Sequence, residues 1–178
     1  MQLQRFSIGI GDRFGYQGRA QLDAVRGAAE QGIDVVPVWN KSNREHEIVG
    51  TEPADVRREA DAAVAENRWT GAYYVDADHV GADTVERFIA ASDFFTIDVA
   101  EAIGAPVARE RLEVFLKRVE KYLKPIEIPG LDRPLDASRE KAEAAGSRFL
   151  AAAVEAGRIY GRIAEVKGAG NFVTEVSM

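Results

Sequence analysis

The sequence predicts an α/β fold of repeated strand–helix units, a barrel-like (β/α) array with about five parallel strands. Three observations lead there. Short apolar, β-branched runs alternate with stretches whose apolar residues recur at helical spacing, the pattern of parallel strands joined by crossover helices. Carboxylates and imidazoles gather at the far ends of the strand-like runs, where parallel sheets place their sites. The chain also reaches residue 178 inside a strand-like run. Five strands do not close an eight-stranded barrel. The array is therefore an open sheet or the first half of a longer barrel, and an ending within a strand favours the second, because an open half-barrel leaves its last strand as an unprotected edge. On this reading residues 1–178 form a single (β/α) domain.

Arg5 to Ile10 is the first strand, running into Gly11-Asp12-Arg13-Phe14-Gly15, a turn rich enough in glycine to bring backbone close to a ligand. Arg19 to Gln31 carries Leu22, Val25, Ala28 and Ala29 at helical spacing, with Gly32 as the stop. Asp34 to Trp39 is the second strand, followed by seven polar residues, Asn40 to His46, read as a loop in which His46 is solvated. Thr51 caps the next helix and Pro53 lies in its first turn, with Val56, Ala60, Ala63 and Val64 as its apolar stripe.

The third strand, Gly71 to Val80, is the stretch around which the chain is organised. Its front half is aromatic and β-branched, whereas its back half places Asp76, Asp78 and His79 within four positions, which a buried strand would not tolerate. Alternation sets Asp76 and Asp78 on one face and His79 on the other, unless the strand ends near Asp78 and the loop swings His79 back. Together they make a metal site or an acid/base pair. Ala82 to Ala91 reads as a short helix and Asp93 to Val99 as a fourth strand with Asp98 near its end. Pro106 to about Tyr122 is helical, but the three prolines between Lys124 and Pro134 end that helix. An alanine-rich helix resumes from about Ala137 to Ala164, and Asn171 to Met178 is the fifth strand.

Composition narrows the function. With 46% hydrophobic and 29% charged residues the chain is an ordinary globular one, and its formal charge of −6 argues against a nucleic-acid or anionic-membrane surface. There is no cysteine, so any metal must be held by oxygen and imidazole. No apolar run reaches the roughly 18 residues of a spanning helix and no signal peptide opens the chain, which reads as cytoplasmic.

Four motifs, Phe6 to Gly15, Tyr74 to Val80, Phe94 to Asp98 and Phe172 to Ser177, occur in the order and approximate spacing of the tagaturonate epimerase family, which nearly the whole chain resembles. The family's proteins are much longer, and the likeness is to their N-terminal half. The resemblance implies a metal-dependent C4 epimerase of ketohexuronates on a TIM-barrel-like scaffold. It implies Glu175 as a ligand of a divalent metal ion (zinc, manganese, iron or nickel), with imidazole ligands supplied by the missing half. It also implies Asp78 as acid/base catalyst with Asp76 and His79 beside it. Asp12, Arg13 and Asp98 look like substrate-site residues, and Arg13, Lys41 and Arg44 are the cations offered to a uronate carboxylate. The partner implied is a small sugar acid, joined by a second copy of the chain or by one that completes the barrel.

Other readings of the same residues stand beside these. Asp76 and Asp78 would serve equally as caps of the following turn, Asp98 as a loop cap, and Lys41 and Arg44 as solvent-facing charges. Glu175 is the least comfortable as a structural residue, since an acid between Val173 and Val176 calls for a partner or a metal. A non-catalytic sugar-acid-binding fragment that needs a partner, or another metal-dependent sugar isomerase or aldolase, would use the same acidic strand ends.

Overall fold

The computed structural model describes every residue except Gln2. The chain divides into two compact units, one formed by Met1–Asp98 with Arg158–Ser177 and the other by Val99–Gly157 with Met178.

The first unit holds all five strands: β1 (Ser7–Ile10), β2 (Val36–Ser42), β3 (Tyr74–Val80), β4 (Phe94–Asp98) and β5 (Val173–Ser177). They pair in parallel in the order β1-β2-β3-β4-β5. Each strand therefore lies beside its predecessor, with no reversal of direction across the sheet. A doubly wound sheet reverses its strand order at a switch point, whereas a barrel does not. The sheet is thus five-eighths of a (β/α) barrel in its winding, as the alternation of segments predicts.

Its helices follow the sequence pattern with shifted ends. α1 (Gly18–Glu30) and α3 (Pro53–Glu66) carry the expected apolar stripes, and Leu22, Val56, Ala60 and Ala63 meet Trp39 and Val75 in one core cluster. That cluster covers one face of the sheet. On the other face Val36, Val38, Tyr74 and Phe94 form a second apolar cluster near the strands' beginnings.

Between Ser42 and Gly50 the sequence reading is corrected. β2 runs on to Ser42 and is followed by a helix, α2 (Asn43–Val49), rather than a loop. Ser42 and Glu45 form a capping box, in which the Glu45 carboxylate accepts the Ser42 N–H at 3.1 Å and the Ser42 hydroxyl accepts the Glu45 N–H at 3.4 Å. Gly50, at φ 70°, closes the helix in the left-handed conformation. His46 is consequently not solvated: it is 1% exposed, packs edge-on against Phe88 at 5.6 Å, and holds the Thr51 hydroxyl at 2.9 Å through Nδ1. Thr51 therefore does not cap α3. Glu52 stands at that position, its N–H donating to the Asp55 carboxylate at 2.7 Å.

α4 is only Val85–Phe88. The second unit contains a short 3-10 turn, α5 (Arg109–Val119) and a further 3-10 turn, and its proline-rich stretch is irregular apart from one antiparallel bridge between Ile126 and Leu135. α6 (Arg139–Lys167) runs through all three of its glycines, passing from the second unit into the first at Arg158. Among the described residues no helix is long and apolar enough to cross a membrane.

Candidate active site

At the carboxyl ends of the strands the sheet face that carries Val38, Tyr74 and Phe94 turns polar. There it lines a cavity of about 610 Å³ with Asn40, Asp76, Asp78, His79, Thr96 and Glu175. That volume lies in the range that holds a small metabolite.

β3 supplies three of these side chains because it is bulged. Ala77 pairs with Phe95 and Val80 with Ile97, so three steps along β3 face two along β4. The extra residue is absorbed at His79, whose φ of 53° is left-handed. Strict alternation would have sent His79 to the helix side. The bulge instead brings it over the acids, with Nδ1 3.3 Å from Asp98 Oδ2 and Nε2 3.8 Å from Asp78 Oδ1. The strand does not end at Asp78, yet the imidazole reaches the acids as a swung-back loop would have placed it.

The bulge has a second effect, on β4. Thr96 lies opposite the irregularity, without a register partner on β3. Its N–H donates instead to Asp76 Oδ1 at 3.1 Å, while its hydroxyl lies 3.0 Å from Asp76 Oδ2 and 3.0 Å from Glu175 Oε1. Asp76 is 6% exposed, and burial pushes its carboxyl up to about 7. The Thr96 donors oppose that rise, and the charges of Asp78 and Glu175 reinforce it. Burial likewise raises Asp78, against the pull of His79 and a side-chain hydrogen bond from Asn40 and with the push of Glu45 and Glu175.

Asn40 and Thr96 are the site residues that sequence reading missed. The signal for Thr96 was period two: it stands two positions before Asp98 on the same face. Asn40 was hidden because the sequence reading ended β2 at Trp39, three residues too early. Its Oδ1 is buried without a partner among the described residues, and a Cβ at Gly11 would come within 3.1 Å of it. Gly11 thus makes room for a side chain rather than for a ligand at that point.

Other predicted residues lie elsewhere. Asp12 spends its carboxylate on its own loop, accepting N–H groups from Phe14 at 3.0 Å and from Tyr16 and Gln17 at 2.6 Å. Burial pushes Asp12 up, but those backbone donors outweigh it and hold the carboxyl below its ordinary value. Lys41 is 2% exposed and follows Asn40 on the opposite face of β2, away from the cavity. Arg44 is exposed on α2. Arg13 pairs with Glu45 at 3.4 Å. No lysine or arginine is among the residues lining the cavity.

Glu175 is exposed on the edge strand β5, so the burial that would have demanded a metal is absent. Among the described residues no three His, Asp or Glu side chains are grouped as a metal ion requires. Thr96 contacts both Asp76 oxygens and one Glu175 oxygen, and the acids grouped here do not by themselves make up a divalent-metal site.

A consecutively wound parallel (β/α) sheet with acids and an imidazole at its carboxyl rim defines the class of the barrel-type (β/α) proteins. Within that class the chain belongs to the tagaturonate epimerase family, whose model matches residues 1–129. Among solved structures it is similar to the native fructuronate-tagaturonate epimerase of Cohnella laeviribosi, at 21% identity and a TM-score of 0.71 over 100% of this chain. It is similar also to the form of that enzyme complexed with one glycerol, at 21% identity and 0.69 over 99% of this chain. These likenesses show the fold. The chain spans 38% of the length of either structure. No curated protein sequence matches it.

Proposed function

We propose that this chain contributes the first strands and the acid/base groups of an enzyme that inverts C4 of ketohexuronates, interconverting tagaturonate and fructuronate. The observation that carries the reading is the pair Asp78 and His79 on the cavity, with Asp98 3.3 Å from the imidazole, in a chain of this family.

C4 is β to the C2 carbonyl of such a substrate, so removing the proton α to the ketone would invert C3 and leave C4 alone. Retro-aldol and aldol steps reach the right carbon. When a base takes the C4 hydroxyl proton, the freed oxygen pair forms the C4 carbonyl, and the C3–C4 pair moves into an enediolate over C2 and C3. The new aldehyde turns, the bond re-forms on its other face, and the proton returns to the C4 oxygen.

Asp78 is the group to which we assign that proton. Its side chain is 20% exposed, enough to meet substrate, and burial raises its carboxyl above the ordinary value, which makes it a stronger base than a solvated aspartate. His79, held between Asp78 and Asp98, positions Asp78 and contacts the hydroxyl row of the sugar acid. Arg13 pairs with Glu45 outside the cavity lining, so none of this chain's described cations is assigned to the uronate carboxylate. The divalent metal that the resemblance implies would have to draw its ligands from beyond these residues, and no step above depends on it.

The test is incubation of the chain with tagaturonate and, separately, with fructuronate, followed by carbon-13 NMR of the products. We expect each acid to give the other with no three-carbon fragments, and Asp78→Asn to lose at least about 100-fold in rate. Accumulation of three-carbon products would replace the epimerase reading with an aldolase one, and absence of turnover in both directions would overturn it for this chain.

A further inference from the structure

β1 forms one wall of the cavity through Ser7 and Gly9, and Gly11 follows at the same period of two. Neither Gly9 nor Gly11 has a left-handed φ, so backbone conformation does not call for glycine at either position. Space does. A Cβ at Gly9 would lie 3.7 Å from Asn40 Oδ1 and 3.8 Å from both its Cγ and its Nδ2. Near-equal distances to these three atoms mean that the carboxamide lies flat over Gly9. In the register of the two strands Ile10 pairs with Trp39, which brings Gly11 level with Asn40. A Cβ there would come within 3.1 Å of Oδ1, tighter than ordinary van der Waals contact.

With Oδ1 turned to Gly11, Nδ2 is left to face the other neighbour of β2, which is β3. On that side the Asn40 side chain hydrogen-bonds Asp78. Chemistry fixes the direction of the bond. A carboxylate only accepts, so the amide donates, and a flipped carboxamide would set two acceptors against each other. Oδ1 is meanwhile buried with no partner among the described residues. Leaving an acceptor dry is unfavourable, and the arrangement gains in return an N–H aimed at Asp78.

We propose that Asn40 is a positioning residue for Asp78, and that Gly9 and Gly11 are the seat that keeps its carboxamide in the donating orientation. Asp78 is then held from two sides, by Asn40 on β2 and by His79 at the bulge of β3, whose Nε2 lies 3.8 Å from Oδ1. A carboxylate fixed in this way presents its remaining lone pairs to the cavity in one direction. Asparagine suits the position because aspartate would repel Asp78 and alanine would leave it free to turn. The consequence for turnover rests on the epimerase reading, in which Asp78 takes the C4 hydroxyl proton, whereas the seat itself does not.

Nitrogen-15 NMR of the side-chain amides in the full chain tests the seat without turnover, so its failure is separable from failure of the epimerase assignment. The Asn40 pair is identified by its absence from Asn40→Ala. We expect one of its two protons to be shifted downfield and protected from exchange with water, as a proton bound to a carboxylate is. Asp78→Ala should return it to the position and exchange of a solvated asparagine. Asp78→Asn keeps the shape of the acid and removes its charge, so it should move the signal part of the way, and it serves where Asp78→Ala does not fold. Gly11→Ala should release the pair with Asp78 intact, whereas Gly9→Ala, whose Cβ makes only ordinary contact, should leave it in place. In turnover of ketohexuronates, Asn40→Ala should lower kcat at least about 10-fold with KM within about twofold. A solvent-like Asn40 pair in the parent chain, or a pair indifferent to both Asp78 variants or to Gly11→Ala, would overturn the proposal. So would an Asn40→Ala enzyme in which KM alone has changed.

Discussion

Two buried titratable side chains pull the stability of this protein in opposite directions. Burial raises Asp76 to about 7, so the folded chain retains a proton that an unfolded aspartate, with a pKa of about 3.9, releases. The stability this group contributes is present in full below the unfolded value and is lost as pH rises through 7. His46 behaves conversely. Burial, helped by the charges of Lys41 and Arg87, lowers it to about 4, so its contribution is full above about 6.5 and is lost as pH falls towards 4. Between about pH 4 and 6.5 the two slopes cancel. Asp76→Asn, which keeps the shape of the protonated acid, should unmask His46: relative to the parent, its stability should climb by about 1.4 kcal/mol per pH unit across that window. Urea unfolding of both proteins at several pH values measures this, and parallel curves would refute it. His79 shows the same dependence of chemistry on setting, because its ring reaches Asp78 and Asp98 only through its left-handed backbone. Histidine and asparagine visit that conformation far more readily than β-branched residues do. His79→Val should therefore melt earlier than His79→Asn, with an excess cost of about 1–2 kcal/mol read by thermal unfolding.

At the scale of elements, α6 separates glycines that merely weaken a helix from one that the packing needs. A Cβ at Gly146 would come within 2.7 Å of Leu112 Cδ1 and 2.9 Å of the Phe115 ring, so here α5 and α6 touch through a missing side chain. Gly157 faces nothing within 4 Å. Gly146→Ala should accordingly destabilise the chain by about 1–3 kcal/mol, whereas Gly157→Ala should stabilise it by up to about 1 kcal/mol. Equal effects in denaturant titrations would contradict this account of the α5–α6 contact. The helix was legible in the sequence because alanine dominates it, but which glycine was costly was not, since propensity does not record what lies opposite. The β2 to α2 passage failed for a related reason. Seven polar residues read as a loop, yet Ser42 and Glu45 were a capping signature within them, and burial of Lys41 and His46 on the helix side overrode polarity.

At the scale of the whole sheet, β1 and β5 are each paired on one side alone among the described strands. β1 carries Ile8 at 48% exposure with Phe6 beside it at 55%, and β5 carries Val176 at 47%. Exposed, apolar strand edges template pairing with other strands. Sedimentation velocity at rising concentration should therefore show reversible association, and Ile8→Lys should shift the chain towards monomer. A monomer at all concentrations would mean that these edges are protected.

The sequence by itself determined the alternation of strands and helices, the polar carboxyl rim, the placing of Asp76 and Asp78 on one face, and the family, because periodicity and motif spacing are local properties of a chain. Only the tertiary structure decided which polar residues meet. Asp12 turned to its own loop and Lys41 to the helix side. His79 came over the acids through a bulge that no local pattern announces, and Thr96, read as a strand residue, became the link between Asp76 and Glu175 because that bulge withdrew its ladder partner. Register between strands remote in sequence sets those meetings, and register depends on what the neighbouring strand can accept.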